Sequence, residues 1–217
     1  MLAVVSVGND LDVVNGDTSS IANLIGNDGG DGISLREALD AANNTAGADQ
    51  VNFDSGLSGS TILLSGTQLR IDGDLTIDGP GADQLTIDAQ GNSRVMRIFS
   101  GTVDIEGLTL TRGNVLRGGG IRADAGTTTT LTDLVVDSNT ATTNSADAGG
   151  GIWNAGEMTI VSSTISGNLA TSAGGAGGGI YNDGGILTVS GSTIAGNSAG
   201  RDGGGIWSAT DLTTQTT

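Results

Sequence analysis

Acidic and arginine side chains are the residues of this chain that could carry out acid–base chemistry. The 217 residues include no histidine and no cysteine, and all eight basic residues are arginine. A Ser–His–Asp triad, a cysteine nucleophile and an ordinary zinc site all need histidine or cysteine, so these sites are excluded. Without lysine there is also no phosphate-binding loop of the G-x-x-x-x-G-K-[ST] type. Carboxylate and arginine chemistry is what remains.

Two clusters in the sequence have the residue types that polysaccharide-degrading enzymes use. A glycosidase needs two carboxylates about 5–10 Å apart, and a polyuronate lyase needs a Ca²⁺ held by acidic residues beside a basic residue. The clusters are Asp72, Asp74, Asp78, Asp83 and Asp88, followed by Arg94, Arg97, Arg112, Arg117 and Arg122. Aspartate also favours turns, and a net charge of −16 repels polyuronate. We therefore predict no catalytic residues, and a carbohydrate-active enzyme is the alternative function.

Aromatic residues recur at one position of a repeated phrase. The residue after each Gly-Gly-Gly-Ile is Arg122, Trp153, Tyr181 and Trp207 in successive copies, so three of the five aromatic residues share one register. Since side chains alternate along a strand, these four should point outward where the isoleucine points inward. We predict an external column in which Arg122 lies over Trp153. The column is either a stacking ladder that covers a loop or an exposed strip that binds sugars or another partner, and its members are the candidate binding residues.

The repeated phrase also indicates the architecture. Full copies occupy residues 118–139, 149–168 and 177–197, and residues 203–206 begin the phrase again. Each copy contains short runs of alternating β-branched and polar residues separated by Gly, Asn, Asp and Ser. Three short strands and three corners fit one coil of a parallel β-helix, in which each strand pairs with its equivalent about 4.8 Å away. The sequence therefore predicts an all-β solenoid.

Asparagine recurs at one corner of the repeat. Asn139, Asn168 and Asn197 close the three copies, and Asn114 in Thr-Arg-Gly-Asn precedes them. Stacked amides at such a corner form a ladder in which each side chain bonds the next. We predict a structural role for these asparagines.

The N-terminal region is predicted to cap the solenoid. Residues 34–43, SLREALDAAN, form a short α-helix with Ser34 and Glu37 as a capping box. A solenoid exposes an apolar cross-section at its end, which a helix with one apolar face can cover. Residues 2–7 are predicted as a strand and residues 8–32 as a loop.

Two regions follow from this pattern. Residues 1–60 hold the strand, loop and capping helix, and residues 61–217 hold the coils. The repeat stops after residue 207 without a closing phrase or a cap, so we expect a truncated solenoid cut from a larger chain.

Several phrases resemble those of bacterial surface proteins. GDGISLREALDAAN, then VNF and LTIDGPGADQLTIDA, resembles the CSLREA-type N-terminal region, with Ile33 where that family usually has cysteine. The GGGI phrases and the I-x-x-N phrases at 165–168 and 194–197, with 136–139 as a variant, resemble the repeats of polymorphic outer-membrane-protein-like adhesins. The resemblance implies a right-handed parallel β-helix on the cell surface, often as a passenger of a larger exported protein.

Charge and short motifs limit cofactors and partners. Residues 27–32, NDGGDG, lack the tandem repeats of a calcium-binding β-roll and the ligand pattern of an EF-hand. We predict no metal ligands and no cofactor, with Ca²⁺ the one ion left open. The charge of −16 argues against nucleic acid and anionic membranes as partners, and no apolar run is long enough to span a bilayer.

Together these observations predict a non-enzymatic, adhesin-like β-helix, extracellular or on the cell surface. Its variable loops at residues 140–148, 169–176 and 198–202 emerge along one edge and form the natural recognition surface. Glycans or proteins of a host or cell surface are the expected partners. A purely structural stalk is the other alternative.

Overall fold

The chain forms a parallel β-helix of about six turns. The computed structural model describes residues 2–142 and 148–209, and the backbone of residues 213–214. The all-β solenoid predicted from the repeat is confirmed. The hand of the coil stays a prediction.

Four parallel sheets run along the solenoid, and each takes one strand from successive coils. Sheet A contains Ala3–Val7, Asp49–Phe53, Leu75–Asp78, Thr102–Glu106, Thr128–Thr132, Glu157–Val161, Ile186–Ser190 and Thr213–Thr214. Sheet B contains Ser60–Leu63, Leu85–Asp88, Thr109–Thr111, Val135–Asp137, Thr164–Ser166 and Thr193–Ala195. Sheet C contains Leu69–Ile71, Met96–Ile98, Ile121–Ala123, Ile152–Asn154, Ile180–Asn182 and Ile206–Ser208. Sheet D contains Asn114–Val115, Thr140–Ala141, Leu169–Ala170 and Ser198–Ala199.

A complete coil passes through sheets A, B, D and C in that order. One example is Thr128–Thr132, Val135–Asp137, Thr140–Ala141 and Ile152–Asn154. The sequence predicted three strands for each coil. Sheet D is the fourth, and its strands of two residues are too short for alternation of side chains to mark them.

Identical or similar apolar side chains stack inside the solenoid. Ile121, Ile152 and Ile180 pair in register and are fully buried, because each begins a strand of sheet C with its side chain facing inward. Burying an isoleucine side chain contributes about 1.5–3 kcal/mol. The interior is one continuous cluster that extends from Val5 to Leu187.

Two helices pack against the first strands. Helix α1 spans Ile21–Gly26, and helix α2 spans Leu35–Asn43 with the predicted Ser34–Glu37 capping box. Both helices contact the strand Ala3–Val7, which supports the predicted cap. A 3₁₀ turn spans Ser55–Leu57. The prediction that residues 8–32 form only a loop is wrong over α1, because six residues offer too little periodicity to indicate a helix.

The N-terminal region and the coils share one core. Asp49–Phe53 pairs with Leu75–Asp78 in sheet A, so this sheet contains strands from both predicted regions, 1–60 and 61–217. No helix in the described residues is both long and apolar enough to cross a membrane.

Candidate functional site

Six side chains form one column on the outer side of sheet C. They occupy the middle position of successive strands and are paired by the strand register: Arg70, Arg97, Arg122, Trp153, Tyr181 and Trp207. The sequence predicted the last four as a column. Arg70 and Arg97 could have been predicted from the same pattern, because L-R-I and M-R-I repeat the apolar–Arg–apolar order of I-R-A.

The arginine half of the column is held by one aromatic ring and two carboxylates, of which Asp72 pairs with Arg70. The guanidinium carbons of Arg70 and Arg97 lie 4.1 and 3.9 Å from the ring centroid of Phe99. Asp124 bridges the next pair, since its Oδ2 lies 2.5 Å from Arg97 Nη2 and its Oδ1 lies 2.6 Å from Arg122 Nε. The planes of these guanidinium groups are therefore fixed.

The aromatic half continues the stack. Arg122 lies over Trp153 with 4.5 Å from its guanidinium carbon to the ring centroid, as predicted. The rings of Tyr181 and Trp207 are 4.4 Å apart and inclined by only 12°. Offset stacking of this kind contributes about 0.5–1.5 kcal/mol beyond the burial of area.

Of the two predicted alternatives for the column, the exposed strip does not hold for two of its aromatic residues. Trp153 is 5% exposed and Tyr181 is 3% exposed, while Trp207 is partly buried. Alternation places these rings outside the core, but Trp153 and Tyr181 pack in a second apolar cluster against the partly buried Ala155 and Trp207. A β-carbon at Gly118 would lie only 3.0 Å from the Cβ of Trp153, and Ala176 belongs to the same apolar cluster.

A cavity of about 610 Å³ opens beside the junction of the two halves. Its lining combines cationic, apolar and hydroxyl groups: Arg94, Val115, Leu116, Arg117, Arg122 and Thr142. No carboxylate is among these lining residues. Arg122 belongs to both the column and the cavity.

Arg94 is the most buried arginine of this group. It is 7% exposed, and it donates from Nε to Gly118 O at 2.9 Å, from Nη2 to Arg117 O at 2.8 Å and from Nη1 to Gln68 Oε1. All three acceptors are neutral. Burial, together with the nearby positive charges of Arg122 and Arg97, lowers the pKa of Arg94 to about 10, and Asp124 opposes this shift.

From the sequence, Arg94 is predicted as one of the arginines of a possible lyase. It is not among the candidate binding residues. Its position lies three residues before the strand register that identified the column. Only the folded corner brings it next to Arg122.

The aspartate cluster of the sequence is dispersed by the fold. Asp72 follows a strand of sheet C and pairs with Arg70, Asp78 ends a strand of sheet A, and Asp88 ends a strand of sheet B and pairs with Arg112. Successive corners of the coil separate residues that are close in sequence, so these three carboxylates lie on three different sheets.

The carboxylates of the NDGGDG phrase accept hydrogen bonds from protein groups. Asp28 Oδ1 accepts from Gly30 N at 3.0 Å, and Asp31 Oδ1 accepts from Asn15 Nδ2 at 3.2 Å. Within the described part of the chain, no group of three or more acidic side chains is arranged to hold a metal ion. Ca²⁺ binding stays an untested expectation.

The predicted asparagine ladder is present for three of its four members. Asn139 Nδ2 donates to Asn168 Oδ1 at 3.1 Å, and Asn168 Nδ2 donates to Asn197 Oδ1 at 3.0 Å. Asn114 is exposed and does not continue the ladder, because the backbone N–H of Gly113 donates to Asn139 Oδ1 instead.

A second ladder, which the sequence analysis missed, runs along sheet C. Asn154 Nδ2 donates to Asn182 Oδ1 at 2.7 Å, and Asn182 Nδ2 donates to Ser208 Oγ at 3.0 Å. These residues end the phrases IWN, IYN and IWS, so alignment of the repeats contained the signal.

The stacked strands and the two amide ladders define the chain as a parallel β-helix protein. Comparison with protein-family models, with curated proteins and with solved structures gives no match.

Proposed function

We propose that this chain is a non-enzymatic, adhesin-like β-helix, extracellular or on a bacterial cell surface, whose rod displays a binding edge to glycans or surface proteins. The resemblance of its SLREA and GGGI phrases to bacterial surface proteins supports the location and the class. The continuous core and the stacked ladders support a rigid rod, because they join each coil to the next along the solenoid.

The observation that carries the binding role is the arginine-lined cavity. Val115, Leu116 and Arg117 precede the first Gly-Gly-Gly-Ile phrase, and Thr142 belongs to the predicted recognition loop at residues 140–148. The cavity therefore lies on the edge where we expected recognition. Its volume is within the range of small-molecule sites, about 300–1,000 Å³. Arginine, hydroxyl and apolar groups suit binding, whereas glycoside hydrolysis needs a pair of carboxylates.

A structural stalk is the second candidate. The burial of Trp153 and Tyr181 favours it, because these rings then serve as a stacking ladder beneath the loops. This burial also moves the proposed binding surface away from the aromatic strip and toward the cavity.

A glycan array combined with a polysaccharide-degradation assay, each with and without Ca²⁺, tests the proposal. We expect binding of a defined set of glycans without release of sugar. Release of unsaturated or reducing sugars would contradict the proposal in favour of an enzyme. Absence of both binding and turnover would favour the stalk.

A further inference from the structure

The charge around the cavity is opposite to that of the chain as a whole. Arg97 and Arg122 lie close enough to Arg94 to lower its pKa, and Asp124 is the carboxylate that opposes them. Two of these arginines already share Asp124. A local excess of positive charge thus sits on a chain whose net charge is −16.

Arg94 has no ionic partner in the described residues. No carboxylate of the described chain lies within ion-pair distance of its guanidinium, although the residue is only 7% exposed. Burying a charge is costly unless the charge is paired, and its hydrogen bonds to carbonyl oxygens compensate only in part. Such uncompensated groups are frequent at binding sites.

Arg122 supplies a second donor to the same cavity. Its Nε is bonded to Asp124, and within the described residues its Nη atoms have no hydrogen-bond partner. The Trp153 ring beneath and Asp124 at one side fix the plane of the guanidinium. An arginine held in this way is oriented for bidentate binding of a carboxylate, and its side chain loses little conformational entropy when the carboxylate binds.

We propose that Arg94 and Arg122 bind the single carboxylate of an acidic sugar in this cavity. The inference rests on the proposed function and names the ligand class of its binding site. Thr142 offers a hydroxyl for the sugar ring, and Val115 with Leu116 offers an apolar wall, of which Leu116 is 68% exposed. A polyanion is disfavoured because the rest of the acidic surface repels it, whereas a single carboxylate can be bound by the local positive charge of Arg94 and Arg122.

The test uses the fluorescence of Trp153, which lies beneath Arg122 and reports on its environment. In a Trp207→Phe background, Trp153 is the single tryptophan. D-glucuronate is titrated beside three other probes: glucose, which lacks the carboxylate; N-acetylalanine, which carries it on a peptide-like body; and polygalacturonate. Far-UV circular dichroism and thermal melts confirm that each variant is folded.

We expect saturable binding of glucuronate that weakens at high salt, and no binding of glucose. Arg122→Gln should raise the dissociation constant about tenfold or more, and Arg94→Lys, which keeps the charge but loses the planar fork, should do so by about tenfold. Arg112→Gln is the matched control, because Arg112 is an exposed arginine paired with Asp88 in sheet B. It should leave the constant within about twofold.

Equal affinity for glucuronate in the wild type and both cavity variants would overturn the inference, as would equal or tighter binding of glucose, N-acetylalanine or polygalacturonate. If array glycans bind but glucuronate does not, the inference fails and the proposed function stands. If neither glycans nor glucuronate bind, both fail.

Discussion

The guanidinium carbon of Arg122 lies 4.5 Å from the ring centroid of Trp153, at the point where the outer column of sheet C changes from arginine to aromatic. On one side of this contact the column is cationic and borders the cavity. On the other side it is apolar, and Trp153 and Tyr181 are packed in a cluster with Ala176. The pair therefore lies between the cavity and the packed part of the column.

The asparagine ladder should be essential to stability. Asn168 accepts from Asn139 N at 2.9 Å and donates to Val136 O at 2.8 Å, and both contacts are buried. Asn168→Ala leaves these backbone groups without partners, at about 1–3 kcal/mol for each. We expect a loss of roughly 2–6 kcal/mol in the free energy of unfolding, measured by urea denaturation.

Asn114→Ala is the matched control for this change, because Asn114 is exposed and outside the ladder. It should alter the free energy of unfolding by no more than about 0.5 kcal/mol. Equal losses in the two variants would contradict a structural role for the ladder.

The fold could be predicted from the sequence because each repeat contains two separate signals of the coil. Gly-Gly-Gly-Ile fixes the strands of sheet C, and the closing asparagines fix the corner after sheet B. Neither signal extends to sheet D or to helix α1, whose elements are too short to show a period. These elements depend on contacts that form only when coils stack.

The site was less predictable than the fold. Alternation correctly placed Trp153 and Tyr181 outside the core, but it carries no information about which loop covers the outer face. Arg94 lies outside the repeated register, so its approach to Arg122 depends on the shape of an irregular corner. Arg70 and Arg97 were missed for a different reason, since their coils lack the Gly-Gly-Gly-Ile phrase that identified the rest.

The glycines before each isoleucine should tolerate no side chain where coils pack closely. A β-carbon at Gly119 would lie 2.7 Å from both Gly150 O and Thr140 O. These are backbone atoms of the next coil, and Gly119 N already donates to Gly150 O at 2.9 Å. Gly119→Ala should cost about 3 kcal/mol or more in the free energy of unfolding, because the backbone must separate.

Gly26→Ala provides the comparison for this substitution. Gly26 ends helix α1, and a β-carbon there would have no atom within 4 Å. Thermal unfolding should show a change within about 1 kcal/mol for Gly26→Ala, in either direction. A melting temperature for Gly119→Ala as high as that of Gly26→Ala would show that the coils are not packed as described.

Glu37 should make the stability of the cap depend on pH. The buried carboxylate accepts from the backbone N–H groups of Asn15 and Gly16, each at 2.7 Å, and of Ser34 at 2.9 Å. Burial raises the pKa of Glu37, but the hydrogen bonds from Ser34, Asn15 and Gly16 outweigh it and hold the pKa below its ordinary value of 4.5. The ionised form is therefore the one that stabilises the fold.

Because the folded pKa lies below the unfolded one, this stabilisation is complete above about pH 4.5 and is lost as pH falls through the folded pKa. Glu37→Gln should lower the free energy of unfolding by about 1–3 kcal/mol at pH 7, and the difference from wild type should narrow near pH 3. Glu157→Gln, at an exposed site on sheet A, serves as the control. A difference for Glu37→Gln that stays constant from pH 7 to pH 3 would contradict this account.

The aromatic stack should act as a packed cover. Tyr181 is 3% exposed and stacks on Trp207, so Tyr181→Ala removes both buried area and the ring contact. We expect a loss of about 3–5 kcal/mol in the free energy of unfolding. Tyr181→Phe keeps the ring and should cost no more than about 1.5 kcal/mol, the contribution of one hydrogen bond.

The same pair of variants separates a packed cover from an exposed binding strip. In a Trp153→Phe background, Trp207 is the single tryptophan, and Tyr181→Ala should shift its emission to longer wavelength and increase quenching by acrylamide, because the ring that shields it is gone. Tyr181→Phe should leave both properties near those of the background. An exposed strip would show the opposite pattern, with little change in stability and a tryptophan already open to the quencher before Tyr181 is replaced.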